Sequence, residues 1–299
     1  MRKKVLFFKW FGYASVVAAL YFLPTVCRMM TDGFSLARIT SEFPPETTWD
    51  TVPTAASDSE ECKYALNQPY RYLGSGGQCF AFISQDNRYV VKFFKTRFIK
   101  FGSLFFQTLP FIPQKTRQRK IDKALFKLRR DFNSYLIASR DLKEESGILY
   151  LHLNKTTDLR KNLRITDKLG INHSIDLDQM EFAVQRRAEL AYPYIDSLIR
   201  KNQFEKAKSA IHSLIDISVK RCKKGIYDED AKIERNFGFL DDQPLLIDIG
   251  RFVKDPSRQN RSIYQQDLQG ITRQLRTWIE KQHPDLTDYF NEALHLEET

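Results

Sequence analysis

Hydrophobic and polar positions follow two different periods along residues 70–299, which predicts both strands and helices. Short apolar runs between glycine or polar turns are typical of strands, and apolar residues every three or four positions are typical of helices. Because the two kinds of segment are mixed along the chain, we expect an α+β fold. The predicted strands are Tyr70–Leu73, Cys79–Ser84, Arg88–Lys95, Ile148–Leu153, Leu163–Lys168, Asn172–Leu177 and Met180–Arg187, and a hairpin joins Phe237–Leu240 to Pro244–Ile249 around Asp241 and Asp242. The predicted helices are Gln118–Arg140, Ile195–Leu198, Phe204–Arg221, Ser262–Gln282 and Leu286–Leu296.

One apolar run near the N-terminus is of a different kind. Trp10–Cys27 contains eighteen residues without a charge, which as a helix would span roughly 27 Å, close to the thickness of a bilayer core. More basic residues precede it than follow it, which predicts a retained single-pass membrane anchor with a cytoplasmic N-terminus. A cleaved or lipidated signal is the alternative. The predicted orientation puts the folded part on the far side of the membrane from the N-terminus.

These patterns divide the chain into four parts. Residues 1–30 are the predicted anchor or signal, and residues 31–65 are predicted to be a flexible linker, because they are polar and broken by prolines. Residues 66–190 are predicted to form a β-rich lobe with a basic and apolar insertion at 96–117. Residues 191–299 are predicted to form a compact helical lobe.

The charge of the chain is concentrated in one segment. The chain carries 47 Lys and Arg against 37 Asp and Glu, and residues 85–140 alone hold 14 basic and 3 acidic residues. Aromatic and aliphatic residues lie among these basic ones, a pattern that suits an anionic membrane surface. A packed insertion with a solvated charged face would give the same pattern. Nucleic acid is disfavoured as a partner because no nucleic-acid-binding motif accompanies the charge.

Composition excludes two classes of protein. Hydrophobic residues make up 42% of the chain, which excludes a disordered protein, and the four cysteines are too few for a disulfide framework in 299 residues.

Two features of the β-rich part suggest phosphate binding. Gly74, Gly76 and Gly77 lie between two predicted strands, where glycines allow positive φ and let backbone amides approach phosphate oxygens closely. Lys92 lies inside the apolar strand that follows. Because a lysine among buried residues needs an anionic partner, we expect Lys92 to face a phosphate or a carboxylate.

Acidic and amide side chains cluster later in the chain. Asp248 ends an apolar strand, and Asn236 precedes the other strand of the same predicted hairpin. Carboxylate and amide oxygens of this kind suit Mg²⁺. Asp228 and Asp230, just before Asn236, are candidates to orient or deprotonate a hydroxyl group.

The order of these elements resembles the protein-kinase-like fold over roughly residues 66–260. The resemblance implies a two-lobed protein in which the three glycines cover the phosphates of ATP and Lys92 pairs with the α- and β-phosphates. It also implies that Asn236 and Asp248 hold Mg²⁺, and that Glu181–Ala191 lines the adenine pocket. Asp131 is the candidate partner of Lys92 on the long helix. Departures from the pattern are Cys79 at the third glycine position, Ile249 in place of the usual Phe, and the lack of a His-Arg-Asp triplet.

The catalytic aspartate stays open between two residues. Asp228 matches the end of the missing triplet by position, and Asp230 matches an Asp-x-Lys pattern with Lys232. We favour Asp230, because the charge of Lys232 could meet the transferred phosphoryl group.

The sequence therefore predicts a membrane-anchored phosphotransferase that needs ATP and Mg²⁺. The short segment after Asp248 is similar to that of small-molecule and lipopolysaccharide-core sugar kinases, which implies an envelope sugar or lipid, or a protein, as the hydroxylated acceptor. The alternative is a pseudokinase, a non-catalytic binding or scaffold module at the membrane, because the catalytic loop is irregular. A third hypothesis is a basic structural protein of the membrane surface in which the motifs match by chance.

Overall fold

The computed structural model of the protein describes residues 21–41, 45–50, 59–96 and 113–298. Most of the predicted anchor, Trp10–Cys27, and most of the predicted insertion at 96–117 lie outside these residues. Residues 21–30 are helical. None of the helices that the structure describes combines the length and the apolar character that crossing a bilayer requires.

The fold combines one large mixed sheet, two small sheets and a helical part, which confirms the predicted mixed architecture. Its strands are β1 Tyr70–Ser75, β2 Cys79–Ser84, β3 Tyr89–Phe94, β4 Ile148–His152, β5 Asn162–Thr166, β6 Asn172–Asp176, β7 Phe182–Arg186, β8 Glu189–Leu190, β9 Ile226–Asp228, β10 Phe237–Leu240, β11 Gln243–Leu246 and β12 Phe252–Lys254. After the helical residues 21–30, its α-helices are α1 Glu60–Leu66, α2 Gln114–Asp141, α3 Lys143–Ser146, α4 Ala191–Arg200, α5 Phe204–Lys223, α6 Ile233–Asn236, α7 Arg261–Gln282 and α8 Thr287–Glu298.

The large sheet has the strand order β4-β7-β3-β2-β1-β5-β6. Strands β1, β2 and β3 pair antiparallel through two successive hairpins, and β7 then pairs antiparallel with β3 on its other side. Lys92 of β3 lies opposite Ala81 of β2 and Ala183 of β7. Strand β3 is thus a central strand, and its lysine is held between two small neighbours.

Two apolar clusters pack on this sheet. One contains Phe80, Phe82 and Phe93, and the other joins the long helix α2 to the helical part through residues such as Phe94 and Phe132. The poor alternation of apolar and polar positions along β3 is explained by this, because both faces of the strand are covered.

Part of the predicted linker is packed into the first cluster. Phe34 is 6% exposed and Ile39 is fully buried, and the Phe34 ring meets the rings of Phe80 and Phe82 edge to face, at 5.3 Å between centroids in each case. Helix α1 also lies within the predicted linker. Residues 34–39 and α1 therefore differ from the flexible tether that prolines and polar residues predict. The reason is that a few apolar side chains suffice to bind such a segment to an open sheet face.

The hairpin β10–β11 sets the spacing of the later motif. Its turn is Asp241-Asp242, as predicted, and both residues adopt positive φ, 49° and 62°, the backbone that a two-residue hairpin turn needs. Asn236 directly precedes β10, and its carbonyl accepts hydrogen bonds from the backbone of Ile247 at 2.8 Å and of Asp248 at 3.4 Å. Residues 236 and 248 therefore emerge side by side at one end of the hairpin.

Candidate active site

A cavity of about 620 Å³ opens between the large sheet and the helical part. Its walls come from the β1–β2 turn, from β3, from the segment after β7 and from the two ends of the β10–β11 hairpin. Seven of the ten predicted site residues line it: Gly76, Gly77, Lys92, Asp228, Asp230, Asn236 and Asp248. The other three, Gly74, Asp131 and Lys232, are outside its lining.

The glycine-rich turn covers one end of this cleft. Gly74, Gly76 and Gly77 do not adopt positive φ, so that part of the sequence argument is wrong. Their second predicted property is present, since a Cβ at Gly74 or Gly77 would meet no atom within 4 Å. The turn is therefore open to a ligand that approaches its backbone.

Gln78 fastens this turn to the far side of the cleft. Its Nε2 donates to the carbonyl oxygen of Gly250 at 2.8 Å, and a Cβ at Gly250 would collide with the Gln78 side chain. The contact explains why glycine follows Ile249 here. Sequence reasoning missed Gln78, because nothing in the turn pattern distinguishes it from an exposed polar residue.

Gln78→Ala is expected to release the turn. A neutral hydrogen bond contributes about 0.5–1.5 kcal/mol, so the turn should open roughly 2- to 12-fold more often. Amide hydrogen exchange of residues 74–78 measures this directly. Exchange at the Asp167–Gly170 turn, at the other edge of the sheet, should not change, and an unchanged rate at 74–78 would show that the Gln78 contact does not hold the turn.

Lys92 projects into the middle of the cleft. Its Nζ donates to the carbonyl oxygen of Ile247 at 2.5 Å, which ties β3 to the end of β11. Burial lowers the pKa of Lys92 below its ordinary value, and the nearby Asp248 carboxylate opposes part of this shift. The ammonium group is therefore poorly solvated and well placed to gain from an added anion.

This predicts a pH dependence of nucleotide binding. Only protonated Lys92 attracts phosphate, so ATP affinity should fall as pH rises through the pKa of Lys92, which lies below that of a free lysine. Isothermal titration between pH 7 and 10 measures the fall. In Lys92→Arg the guanidinium stays charged over this range, so the ATP affinity of this variant should not show the fall that Lys92 causes. If the ATP affinity depends on pH in the same way in both proteins, the assignment of Lys92 to the phosphate site is wrong.

Asp131 is not the partner of Lys92 in this structure. Its Oδ1 lies 3.3 Å from Nη2 of Arg130, and burial raises the pKa of Asp131 while the cations Arg130, Arg251 and Lys127 lower it. Tyr135 of the same helix lines the cleft instead, and its hydroxyl lies 3.8 Å from Sγ of Cys79. Asp131 and Tyr135 are four residues apart on one face of α2, so the residue that reaches the cleft lies one helical turn further along the axis.

Ser134, beside Tyr135, connects the long helix to the motif that contains Asp248. Its hydroxyl donates to the carbonyl oxygen of Ile249 and accepts a hydrogen bond from the Phe252 amide at 2.6 Å. Helix α2 thus holds the backbone on both sides of Gly250. Ile249 itself is fully buried, which accounts for an apolar residue at that position.

The two candidate aspartates have different surroundings. Asp228 is buried, and its Oδ2 lies 3.1 Å from Nη1 of Arg221, with both side chains almost inaccessible to solvent. Burial raises the pKa of Asp228, and Arg221 opposes that shift. Its Oδ1 accepts a hydrogen bond from the Asp230 amide at 3.0 Å. Asp228 is therefore engaged with a buried cation and with the backbone of the loop.

Asp230 is exposed at the cleft, with half of its side chain accessible. Its Oδ1 pairs with Nζ of Lys232 at 2.9 Å, so Lys232 reaches the site through this ion pair although it does not line the cleft. Asp230 thus presents a solvent-accessible carboxylate to a ligand, which Asp228 does not.

Asn236 and Asp248 provide oxygen atoms at the far end of the cleft. Asn236 Nδ2 donates to the carbonyl oxygen of Asp230 at 2.6 Å, which turns the amide oxygen of Asn236 away from that carbonyl. Within the part of the chain that the structure describes, no group of three or more His, Cys, Asp or Glu side chains could hold a metal ion by itself. One carboxylate and one amide still fit Mg²⁺, which keeps several waters or phosphate oxygens among its ligands.

The opposite end of the cleft is mainly apolar. Leu73, Ala81, Val90 and Ile247 line it together with residues 185–190, which lie inside the predicted segment Glu181–Ala191. Gln185 is buried there, and its Nε2 donates to the carbonyl oxygens of Ser146 at 2.5 Å and of Leu246 at 3.1 Å. This end can accept a flat apolar group.

Basic residues that the sequence reasoning did not select also line the cleft. They are Arg186, Arg187, Arg235 and Arg251. Arg186 is paired with Glu61, at 2.6 Å between Nη2 and Oε2. Arg251 directly follows Gly250, and this position was the only available signal for it. The four side chains add positive charge around the acidic residues and favour an anionic ligand.

Comparison with known proteins gives neighbours in structure and none in sequence. No protein-family model matches the chain, and no curated protein matches it significantly. Solved structures that it resembles include WbdD, at 13% identity and a TM-score of 0.37 over 77% of this chain and 47% of the other. The ROP18 kinase domain in complex with AMP-PNP and sucrose matches at 18% identity and a TM-score of 0.35 over 60% and 50%. WaaP in complex with acyl carrier protein matches at 10% identity and a TM-score of 0.30 over 84% and 98%.

These neighbours include a kinase domain and, in WbdD, a bifunctional kinase-methyltransferase, so the predicted resemblance to kinase-like proteins is confirmed. The chain spans about half the length of the first two structures named. All three TM-scores lie below 0.5, and the roles of individual residues therefore depend on the cleft alone.

Proposed function

We propose that the protein is a membrane-anchored phosphotransferase that transfers phosphoryl from ATP to a hydroxyl group and requires Mg²⁺. One observation carries the proposal: the glycine-rich turn and Lys92 line the same cleft as Asp230, Asn236 and Asp248, which come from a distant part of the chain. Chance motif matches would have no reason to converge on one cavity.

The shape of the cleft suits a nucleotide. Its apolar end accommodates a purine beside residues 186–190, and its other end offers the glycine-rich turn and Lys92 to the phosphates. Gln78 lies between the turn and Gly250, so its side chain would have to move aside or contact the phosphates when they enter. Backbone amides and one ammonium group are typical phosphate ligands.

Asn236 and Asp248 would hold Mg²⁺. When bound, the ion neutralises charge on the phosphate oxygens and aligns them for transfer. The residues of the chain contribute mainly by positioning and by electrostatic stabilisation, which supply most of the catalysis of phosphoryl transfer.

Asp230 is the proposed base. Its accessible carboxylate can accept a proton from the acceptor hydroxyl, whereas the carboxylate of Asp228 is engaged with Arg221 and the loop backbone. Lys232 neutralises Asp230 at rest and would contribute positive charge beside the transferred group.

The acceptor is proposed to be a hydroxylated molecule at the membrane, either an envelope sugar or lipid or a protein. The predicted N-terminal anchor supports this, since it keeps the cleft close to the bilayer. The exposed side chains of the helix at 21–30 agree with such a location: Tyr21 is 77% exposed and Met29 is 71% exposed.

Transfer from radiolabelled ATP tests the proposal. The full chain, reconstituted in vesicles with Mg²⁺ and an extract of membrane glycolipids and proteins, should label one class of acceptor, and Asp230→Asn should not. If nucleotide binds tightly but neither hydrolysis nor labelling exceeds that of Asp230→Asn with any extract, the enzymatic proposal fails.

That failure would favour the second candidate, a pseudokinase. One observation supports it: among the described residues, no carboxylate lies within ion-pair distance of Lys92, which bonds to a carbonyl oxygen instead. Active protein kinases require an ion pair at this lysine. A pseudokinase would bind nucleotide without turning it over.

A further inference from the structure

The long helix α2 begins outside the buried core. It runs for 28 residues, about 42 Å at 1.5 Å per residue. None of its described side chains from Gln114 to Lys127 is buried, and the first buried one is Leu128. Among the described residues, the first half of the helix, residues 114–127, therefore lies at the surface, with Ile121, Ala124 and Leu125 half-buried and the others exposed.

This surface half is strongly basic and carries an exposed aromatic ring. Residues 114–127 contain six basic side chains and a single acidic one. Phe126 is 68% exposed, although a phenylalanine that served only the folded core would be covered.

The helical period places Phe126 at the end of a row of cations. Lys115, Arg119 and Lys123 are all exposed and precede Phe126 by eleven, seven and three residues. At 3.6 residues per turn these positions share one face. We call Lys115, Arg119, Lys123 and Phe126 the docking stripe.

We propose that the docking stripe binds the surface of an anionic lipid bilayer. Lysine and arginine at this spacing can meet lipid phosphates, and an aromatic ring at the end of their row can enter the boundary between head groups and acyl chains. A single strand of nucleic acid would instead need several aromatic rings for successive bases. Charge complementarity and the lone exposed ring of the stripe therefore favour lipid.

The docking stripe would give the protein a second membrane contact besides the proposed anchor. A single membrane attachment leaves a protein free to tilt, and a second contact fixes its orientation. Helix α2 bears the docking stripe at one end and Ser134, bonded to Ile249 and Phe252, at the other. Docking would thus fix the cleft relative to the bilayer. The inference does not depend on catalysis or nucleotide binding.

Phe126→Trp in the full chain tests the inference, with emission quenched by brominated lipids in vesicles. The wild-type chain, with the same three native tryptophans, gives the background. Phe204→Trp is the matched control, because Phe204 is also exposed, at 41%, on a different helix and next to the acidic Glu205.

We expect Phe126→Trp to be quenched in vesicles containing phosphatidylglycerol and little in phosphatidylcholine alone, and Phe204→Trp in neither. Replacing Lys115, Arg119 and Lys123 by Gln in the Phe126→Trp chain should lower the equilibrium constant for docking to the anionic vesicle by about a hundredfold. Each cation contributes a factor of roughly five. Unchanged circular dichroism shows that the helix still folds.

Three results would overturn the inference. One is the lack of quenching at residue 126 in anionic vesicles, and another is equal quenching in anionic and neutral vesicles. The third is that a short RNA shifts the emission of the Phe126→Trp chain whereas vesicles do not. That result would assign the docking stripe to nucleic acid.

Discussion

Asp230→Asn is expected to lower the turnover of phosphoryl transfer by about 10²- to 10⁴-fold, the usual contribution of a general base. The amide keeps the shape of the side chain and loses its ability to accept the hydroxyl proton. Nucleotide affinity should change little, because the glycine-rich turn, Lys92, Asn236 and Asp248 are untouched. Turnover with saturating acceptor and isothermal titration of ATP measure the two quantities separately.

Glu229→Gln provides the matched control for this substitution. It removes a carboxylate one residue away that is exposed and outside the lining of the cleft, so its turnover should equal that of the wild type. Equal losses in both variants would indicate that the net charge of the loop matters and not a base at Asp230. Full activity in Asp230→Asn would remove Asp230 from the mechanism.

Arg221→Met is expected to destabilise the protein by roughly 3–5 kcal/mol, the usual cost of removing one partner of a buried ion pair. Arg221 is fully buried in α5 against Asp228, so its loss leaves that carboxylate without its cation. Asp228 also accepts a hydrogen bond from the Asp230 amide, so the loss should reach the loop that contains Asp230. Urea denaturation measures the change in the free energy of unfolding.

Two further variants separate this pair from a general effect of charge. Lys223→Met removes an exposed cation in the last turn of the same helix and should cost less than about 0.5 kcal/mol. Arg221→Met combined with Asp228→Asn should recover much of the loss, because no buried charge is left unpaired and Asn can still accept the loop amide. A double variant as unstable as the sum of both single variants would contradict the coupling.

Much of the architecture follows from local patterns in the sequence. The β10–β11 hairpin is the clearest case, since short apolar runs on both sides of two aspartates predict both its strands and its turn. That hairpin alone puts Asn236 beside Asp248. The strand containing Lys92 was also predictable, because an uninterrupted apolar run with one lysine is typical of a covered central strand.

Features that depend on contacts between distant segments were not predictable. Asp131 shares a face of the long helix with Tyr135, but which turn of that face reaches the cleft is decided by how α2 packs, and it is Tyr135 that lines the cleft. Arg221 looked like an ordinary basic residue near a helix end, where cations are common. Only the position of β9 shows that it is buried. Residues 34–39 looked like a tether because the sheet face that they cover is not visible in their own sequence.

Calorimetric titration of the full chain with ATP, with and without Mg²⁺, tests the central claim most directly. We expect Mg²⁺-dependent binding in the wild type, an affinity at least about tenfold lower in Lys92→Ala, and loss of the Mg²⁺ dependence in Asp248→Ala. Lys201→Ala, an exposed lysine outside the cleft, should bind like the wild type. A well-folded wild-type protein that binds no ATP, or two cleft variants that bind as well as it does, would contradict a nucleotide site in this cleft.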